Sequence, residues 1–251
     1  MAYTKQRGLR IAFDVSGAGP VVLLQHGLLS RRATWHTNGF VAALAERFTV
    51  VAVDSLGHGE SDKPADAAAY RRDARADDLA AVLDAIGAER AHLVGYSMGG
   101  WMATGFAARH PRRLLSLAIG GWDPVRGRAA PGIPFETVLA GARARAPELT
   151  AWITPEVAPA VAACWDALAD VSGAEAALAA CPAPVLLWSG REDACCDGMQ
   201  ALAARLANAA FRGVSGDHLG AMTAHADESL DAVRAILATG IGAVRAIPSE
   251  A

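Results

Sequence analysis

Gly95-Tyr96-Ser97-Met98-Gly99-Gly100 lies between two stretches of opposite character. Ahead of it, Ala91-His92-Leu93-Val94 is a short apolar run of strand type. Behind it, residues 101–110 are rich in alanine and free of proline, which reads as a helix that stops before Pro111. A serine is thus set on a sharp turn from strand to helix. Where strand and helix nearly touch, at Gly95 and Gly99, the turn leaves no room for side chains. The first turn of the helix directs free N–H groups and a partial positive charge back at the serine.

A Gly-x-Ser-x-Gly turn in this setting is a nucleophile elbow. On these residues, and on the partners described below, the chain resembles the α/β-hydrolase fold family over nearly its whole length. The resemblance implies an α/β fold: a mostly parallel central sheet flanked by helices, with a helical cap inserted over the site. The competing reading is a Gly/Ser turn in some other α/β protein.

The rest of the chain fits that architecture. Residues 9–15 alternate apolar and polar, as a half-exposed strand does. Val21-Val22-Leu23-Leu24 and Thr49-Val50-Val51-Ala52-Val53 are apolar almost throughout, as strands buried on both faces of a parallel sheet are. Val41, Leu44, Ala45 and Phe48 follow at helical spacing, and Leu79, Val82, Leu83 and Ile86 form a helical stripe ended by Gly87. Residues 114–119 give another apolar strand. From about Val125 to Cys181 the rhythm breaks: Pro131, Pro134, Pro147, Pro155 and Pro159 separate short helical patterns near 135–145 and 160–170. The family places its cap here. This divides the chain into a core of 1–124 and 182–251 and a cap of 125–181, which at roughly 55 residues is too small to hold a core of its own. The rhythm resumes with a strand at 184–188, a helix around 198–208, a strand near 209–214 and a last helix carrying Leu230, Val233, Ile236 and Leu237 on one face. The tail after about Thr239 is expected to be loose.

A serine hydroxyl is a weak nucleophile near neutral pH. It needs a base within hydrogen-bond reach and a carboxylate to orient that base. In this family the chain order is serine, acid, histidine. His218, in Ser215-Gly216-Asp217-His218, follows the last strand and precedes the last helix, so it is assigned as the base. His26, His36, His58, His92 and His110 come too early, and His225 starts the final helix. Asp193, in Ser189-Gly190-Arg191-Glu192-Asp193, is preferred as the acid over Asp123, which follows the earlier strand. The attacked carbonyl needs preorganised donors. The backbone N–H groups of Met98 and Leu28 are assigned that role. Leu29, Trp122, Trp152 and Trp165 are candidate substrate-binding walls, although each tryptophan reads equally well as ordinary core. The family turn Asp-x-Arg-Gly-x-Gly-x-Ser appears as Asp54-Ser55-Leu56-Gly57-His58-Gly59-Glu60-Ser61; Leu56 replaces the arginine, so the ion pair that arginine would make is missing.

Composition bounds the remaining classes. The 251 residues are 53% hydrophobic and 20% charged, enough for a sizeable buried core in one domain. A net charge of −3 gives no electrostatic case for nucleic acid. The Arg-Arg pairs at 31–32, 71–72 and 112–113 read as solvated helix faces. Cys164, Cys181, Cys195 and Cys196 show no paired spacing for zinc or redox chemistry, so no metal and no cofactor are expected. No targeting segment and no bilayer-length apolar run is visible, and a cytoplasmic protein without membrane partners is expected. An exposed apolar cap is compatible with a homodimer. The resemblance therefore implies a serine hydrolase acting on a small or medium ester, thioester or lactone. Carbon–carbon bond hydrolases and perhydrolases of the family carry the same triad, and some members of the fold only bind small molecules. Epoxide hydrolases and haloalkane dehalogenases carry aspartate where this chain has Ser97.

Overall fold

Whether a strand is apolar on one face or on both decides where it can sit in a sheet. The computed structural model of the protein describes residues 1–128 and 132–239. Pro131 and the tail after Thr239 lie outside the described residues. In chain order the elements are β1 (Ala2–Gln6), β2 (Leu9–Ser16), β3 (Val21–Gln25), α1 (Ala33–Thr37), α2 (Phe40–Leu44), β4 (Thr49–Val53), α3 (Arg72–Ala85), β5 (Ala91–Tyr96), α4 (Met98–Arg109) and β6 (Leu114–Gly120). Then come α5 (Phe135–Arg145), α6 (Pro147–Thr150), α7 (Ala158–Ala167), α8 (Ala174–Ala180), β7 (Val185–Gly190), α9 (Cys196–Arg205), β8 (Ala209–Val214) and α10 (Ala226–Thr239).

The strands form one eight-stranded sheet in the order β1-β2-β4-β3-β5-β6-β7-β8. β1 and β2 are antiparallel, β2 meets β4 antiparallel, and β3 to β8 are parallel. The apolar strands are central and covered on both sides. Leu23, Val51, Leu93, Leu117 and Leu187 face one core with α3, α4, α7 and α9. Val22, Leu24, Val50, Val94, Leu186 and Trp188 face the other, with Trp35, Phe40, Leu44, Val233 and Ile236. After β4 the chain crosses β3 to make β5, so the order reverses between these strands. The crevice at their carboxyl ends is the switch point where open α/β sheets place their ligands.

Most strand limits fall within two residues of the sequence reading. Two short elements do not follow from it. β1 is an edge strand with alternating half-exposed positions, joined to β2 by the turn Arg7-Gly8, both at positive φ (54° and 79°). α1 is a five-residue helix anchored by the buried Trp35. The helix expected over 41–48 stops at Leu44, and the residues after it pack their carbonyls against Gly17 and Gly19.

Two charge expectations are corrected. Arg32 and Arg72 are not solvated: their side chains are only 14% and 11% exposed. Arg72 reaches Ser172 O and Asp170, whereas Arg32 pairs with Asp14 and with the buried Asp54. Asp54 also accepts from the N–H groups of Arg32 and Glu60. Leu56 does remove one arginine from the turn, but Asp54 gains another from the loop after β3. Burial resists its ionisation, yet these N–H donors and the Arg32 guanidinium hold its carboxyl below the ordinary range.

Two buried histidines join the loops after β3 and β4. His26 donates from Nδ1 to Gly27 O at 2.8 Å and accepts the Ser55 N–H on Nε2 at 3.1 Å. His58 donates from Nε2 to Leu28 O at 2.6 Å, while its Nδ1 faces Leu56 O at 3.1 Å. A neutral ring can donate only once, so we place the proton on the shorter contact. Burial lowers the pKa of both rings, that of His58 to about 3, with the charge of Arg75 adding to the effect.

Two predictions follow from this packing. A Cβ at Gly99 would overlap Gln25 O, whereas one at Gly141 on α5 would meet open space. Gly99→Ala should therefore cost more than about 3 kcal/mol, and Gly141→Ala should stabilise by about 0.4–1 kcal/mol, in urea unfolding followed by circular dichroism. The second prediction concerns acid. An unfolded histidine titrates at about 6.5, so below that pH the unfolded chain binds protons that folded His26 and His58 refuse. Stability must then fall as pH drops from 7 towards 4, by up to about 1.4 kcal/mol per pH unit for each ring. His58→Gln should show a shallower decline of the urea midpoint over this window, and parallel declines in parent and variant would contradict the assignment.

Candidate active site

The site is built from the ends of β3, β5, β7 and β8. Ser97 has φ 55° and ψ −114°, the left-handed side of the map, where a side chain is strained. Three features hold it there. Its N–H donates to Gly120 O at 2.7 Å, and its carbonyl accepts the Trp101 N–H at 3.0 Å. Gly95 lies against the backbone of Gly99, and Gly99 against Gln25 O, at separations that exclude a Cβ at either glycine. The hydroxyl is thereby lifted off the sheet beside the loop after β3, where a Cβ on Gly27 would come within 3.2 Å of the Ser97 Cβ.

His218 and Asp193 arrive from loops that are laced together. Arg191 donates its N–H to Val214 O and Glu192 to Gly216 O, and Gly190 packs directly on Gly216 O. The result is a continuous line. Asp193 Oδ2 accepts from His218 Nδ1 at 2.7 Å, and His218 Nε2 lies 3.1 Å from Ser97 Oγ. Asp193 is 6% exposed, and its other oxygen accepts the Cys195 N–H. Burial raises its pKa, but the hydrogen bond and charge of His218 outweigh that and hold the carboxyl below its ordinary range. The carboxylate thus fixes the proton on Nδ1 and leaves Nε2 free to accept from the serine.

Tyr96 was not singled out in the sequence. Its hydroxyl donates to His218 O at 2.7 Å and its ring lies 5.4 Å from the imidazole. It anchors the histidine loop to the elbow itself. The signal was its place between Gly95 and Ser97, but no sequence pattern says where a tyrosine hydroxyl will end.

Asp123, the other candidate acid, turns inward. Its Oδ1 accepts the N–H groups of Val125 and Arg126, and its Oδ2 is wedged against Gly198. The Leu28 and Met98 N–H groups have no acceptor among the described residues. Both residues are buried, on the loop beside Ser97 and on the first turn of α4. The three tryptophans diverge. Trp122 is buried against Gly100 on α4. Trp152 donates its Nε1–H to Leu29 O at 3.1 Å. Trp165 donates to Ile133 O at 2.9 Å under the guanidinium of Arg128, so its polar and ring contacts belong to the segment between β6 and β7. In that segment α5 to α8 succeed one another without a strand among the described residues. No helix of the described residues is long and apolar enough to cross a membrane.

Comparison with known proteins agrees with this fold. Residues 20–132 match the model of the alpha/beta hydrolase fold family. A 2-hydroxymuconate semialdehyde hydrolase of Pseudomonas sp. is 41% identical over 115 residues, 45% of this chain and 40% of that protein. The curated relatives the chain matches are covered over only a third to about two fifths of their length. Among solved structures, the enol-lactonase of Burkholderia xenovorans superimposes with a TM-score of 0.78 at 23% identity, over 94% of this chain and 99% of the other. A thermophilic esterase of Thermogutta terrifontis gives 0.76 at 25% identity, over 94% and 97%. A sheet whose order reverses at β3, an elbow that only glycine permits and a sequence match spanning both lead to one conclusion: the chain has the α/β-hydrolase fold.

Proposed function

We propose that this chain is a cofactor-free serine hydrolase acting on a small or medium uncharged ester, thioester or lactone. One observation carries the reading: the unbroken Asp193–His218–Ser97 line, at 2.7 and 3.1 Å, ending on a serine in strained backbone. A purely structural hydrogen-bond chain has no need of that strain. The likeness to an esterase and to a hydrolase supports the same class.

The chemistry follows from the donors and acceptors. His218 Nε2 takes the Ser97 proton as Oγ attacks the substrate carbonyl carbon. The carbonyl oxygen becomes an oxyanion and accepts from the Leu28 and Met98 N–H groups, which have no other acceptor among the described residues. His218 then gives its proton to the departing alcohol, thiol or lactone oxygen, leaving an acyl-Ser97. Water adds to that ester with His218 again as base, and the acid product leaves with Ser97 reprotonated. Asp193 stays ionised throughout and steadies the imidazolium. In this reading residues 125–181 form a cap and the remainder of the core is the body that carries the triad.

A fluorophosphonate should label the parent at Ser97 and leave Ser97→Ala unlabelled, and a short p-nitrophenyl ester should be turned over equally with and without EDTA. Asp193→Asn should keep the fold and lose on the order of 10⁴-fold in kcat, as in the best-studied triad. Asp123→Asn should leave the rate near that of the parent, because Asp123 serves its own loop. A parent that binds esters but never labels would make the fold a binding module here.

A further inference from the structure

The loop after β3 carries an unusual run of acceptors. Three consecutive carbonyls each receive a ring N–H: Gly27 O from His26 Nδ1 at 2.8 Å, Leu28 O from His58 Nε2 at 2.6 Å, and Leu29 O from Trp152 Nε1 at 3.1 Å. The rings are also in contact, with centroids 5.0 Å apart for His26 and His58 and 5.2 Å for His58 and Trp152. Two of the donors belong to the body of the fold and are fully buried. The third belongs to the segment between α6 and α7 and is only partly buried. Arg143 of α5 holds that segment by donating to Ile153 O, and the Arg31 guanidinium lies over the Trp152 ring.

We propose that Trp152 is a positioning residue for the oxyanion donor at Leu28, so that the seating of the helical insertion sets the aim of that donor. The proposal rests on the serine-hydrolase reading above. Peptide units are rigid planes, so the Leu28 N–H is steered through the Gly27 carbonyl in its own plane. His26 holds that plane. His58 and Trp152 hold the two planes that follow, and they stop the loop from rotating about the soft torsions of Leu28 and Leu29. A carbonyl that accepts a hydrogen bond also polarises its peptide and strengthens the N–H it carries. His26 and His58 are fixed by burial among body residues. Trp152 is the member that arrives from the insertion, so it is the one whose engagement changes when the insertion shifts.

This role differs measurably from that of an apolar wall. A wall acts on substrate binding and chain-length preference. A positioning residue acts on the tetrahedral transition state and leaves ground-state binding alone. Trp152→Phe keeps an aromatic ring and removes the N–H. We expect kcat on a short p-nitrophenyl ester to fall about tenfold, the weight of one hydrogen bond, with KM and chain-length preference unchanged. The rate of Ser97 phosphonylation by a fluorophosphonate and the affinity for phenylboronic acid, both of which place an oxygen at the donor, should fall by the same factor. Incorporating β-(3-benzothienyl)alanine at position 152 keeps the volume of the indole and deletes only the donor; it should reproduce the loss. If that isostere retains parental kcat, or if Trp152→Phe changes KM or chain-length preference with kcat intact, the proposal is overturned and Trp152 is a wall. Failure of the serine-hydrolase reading would show separately, as a parent protein that does not label at Ser97.

Discussion

The contact of the Gly99 Cα with the Gln25 carbonyl is the constraint from which the site follows. It forces the start of α4 onto the end of β3, with no side chain between them. Because β3 is also the strand at which the sheet order reverses, this brings two backbone segments face to face at the crevice. One is the loop carrying Leu28; the other is the helix start carrying Met98. Ser97 lies between them and cannot relax, since Gly120 O holds its N–H and the glycine on either side admits no substitute. The strain at Ser97 is therefore not a local accident. It is the local cost of packing a helix directly on a buried parallel strand, and interlocked backbone hydrogen bonds offset it.

The two carboxylates that follow β6 and β7 show how loop geometry decides which one reaches an imidazole. Asp123 and Asp193 are comparably buried. Asp123 spends its Oδ1 on its own turn, and its Oδ2 is closed in by Gly198. Asp193 shares a loop junction with Gly216, two residues before His218, so its Oδ2 is delivered to the imidazole by backbone hydrogen bonds rather than by chance of side-chain reach. Electrostatics then completes the distinction. Burial works against the charge of Asp193, but the imidazole hydrogen bond prevails and keeps it ionised.

The central sheet was legible because its strands are apolar on both faces in runs too short for a buried helix. Loop order singled out Ser97, Asp193 and His218, which the fold brings together, since each follows the end of a strand. What escaped was set by distant partners. β1 ends on three consecutive polar residues, Thr4-Lys5-Gln6, and its existence depends on pairing with β2 rather than on its own composition. The pairing of Arg32 with Asp54 joins residues 22 apart across two loops, and only the fold reveals that an arginine read as surface neutralises a buried carboxylate. The tryptophans were legible as apolar mass. The direction of an indole N–H was not, and that direction distinguishes Trp152, on Leu29 O, from Trp165, on Ile133 O.

A backbone N–H left without an acceptor away from water costs on the order of 1–3 kcal/mol, and among the described residues those of Leu28 and Met98, both buried residues, have none. The fold accommodates Leu28 and Met98 differently. Met98 stands at the first turn of α4, where the leading N–H groups are unpaired in any helix, so its free donor adds no cost peculiar to this protein. Leu28 lies in a loop and has no such excuse. Here the carbonyls supply the compensation. Gly27 O accepts from both His26 and the Ser30 N–H, and Leu28 O and Leu29 O are each satisfied by a ring donor. Saturating the acceptors on either side makes the loop rigid enough to keep one donor empty. A loop left free to rotate would satisfy that N–H by turning it inward, away from the hydroxyl of Ser97.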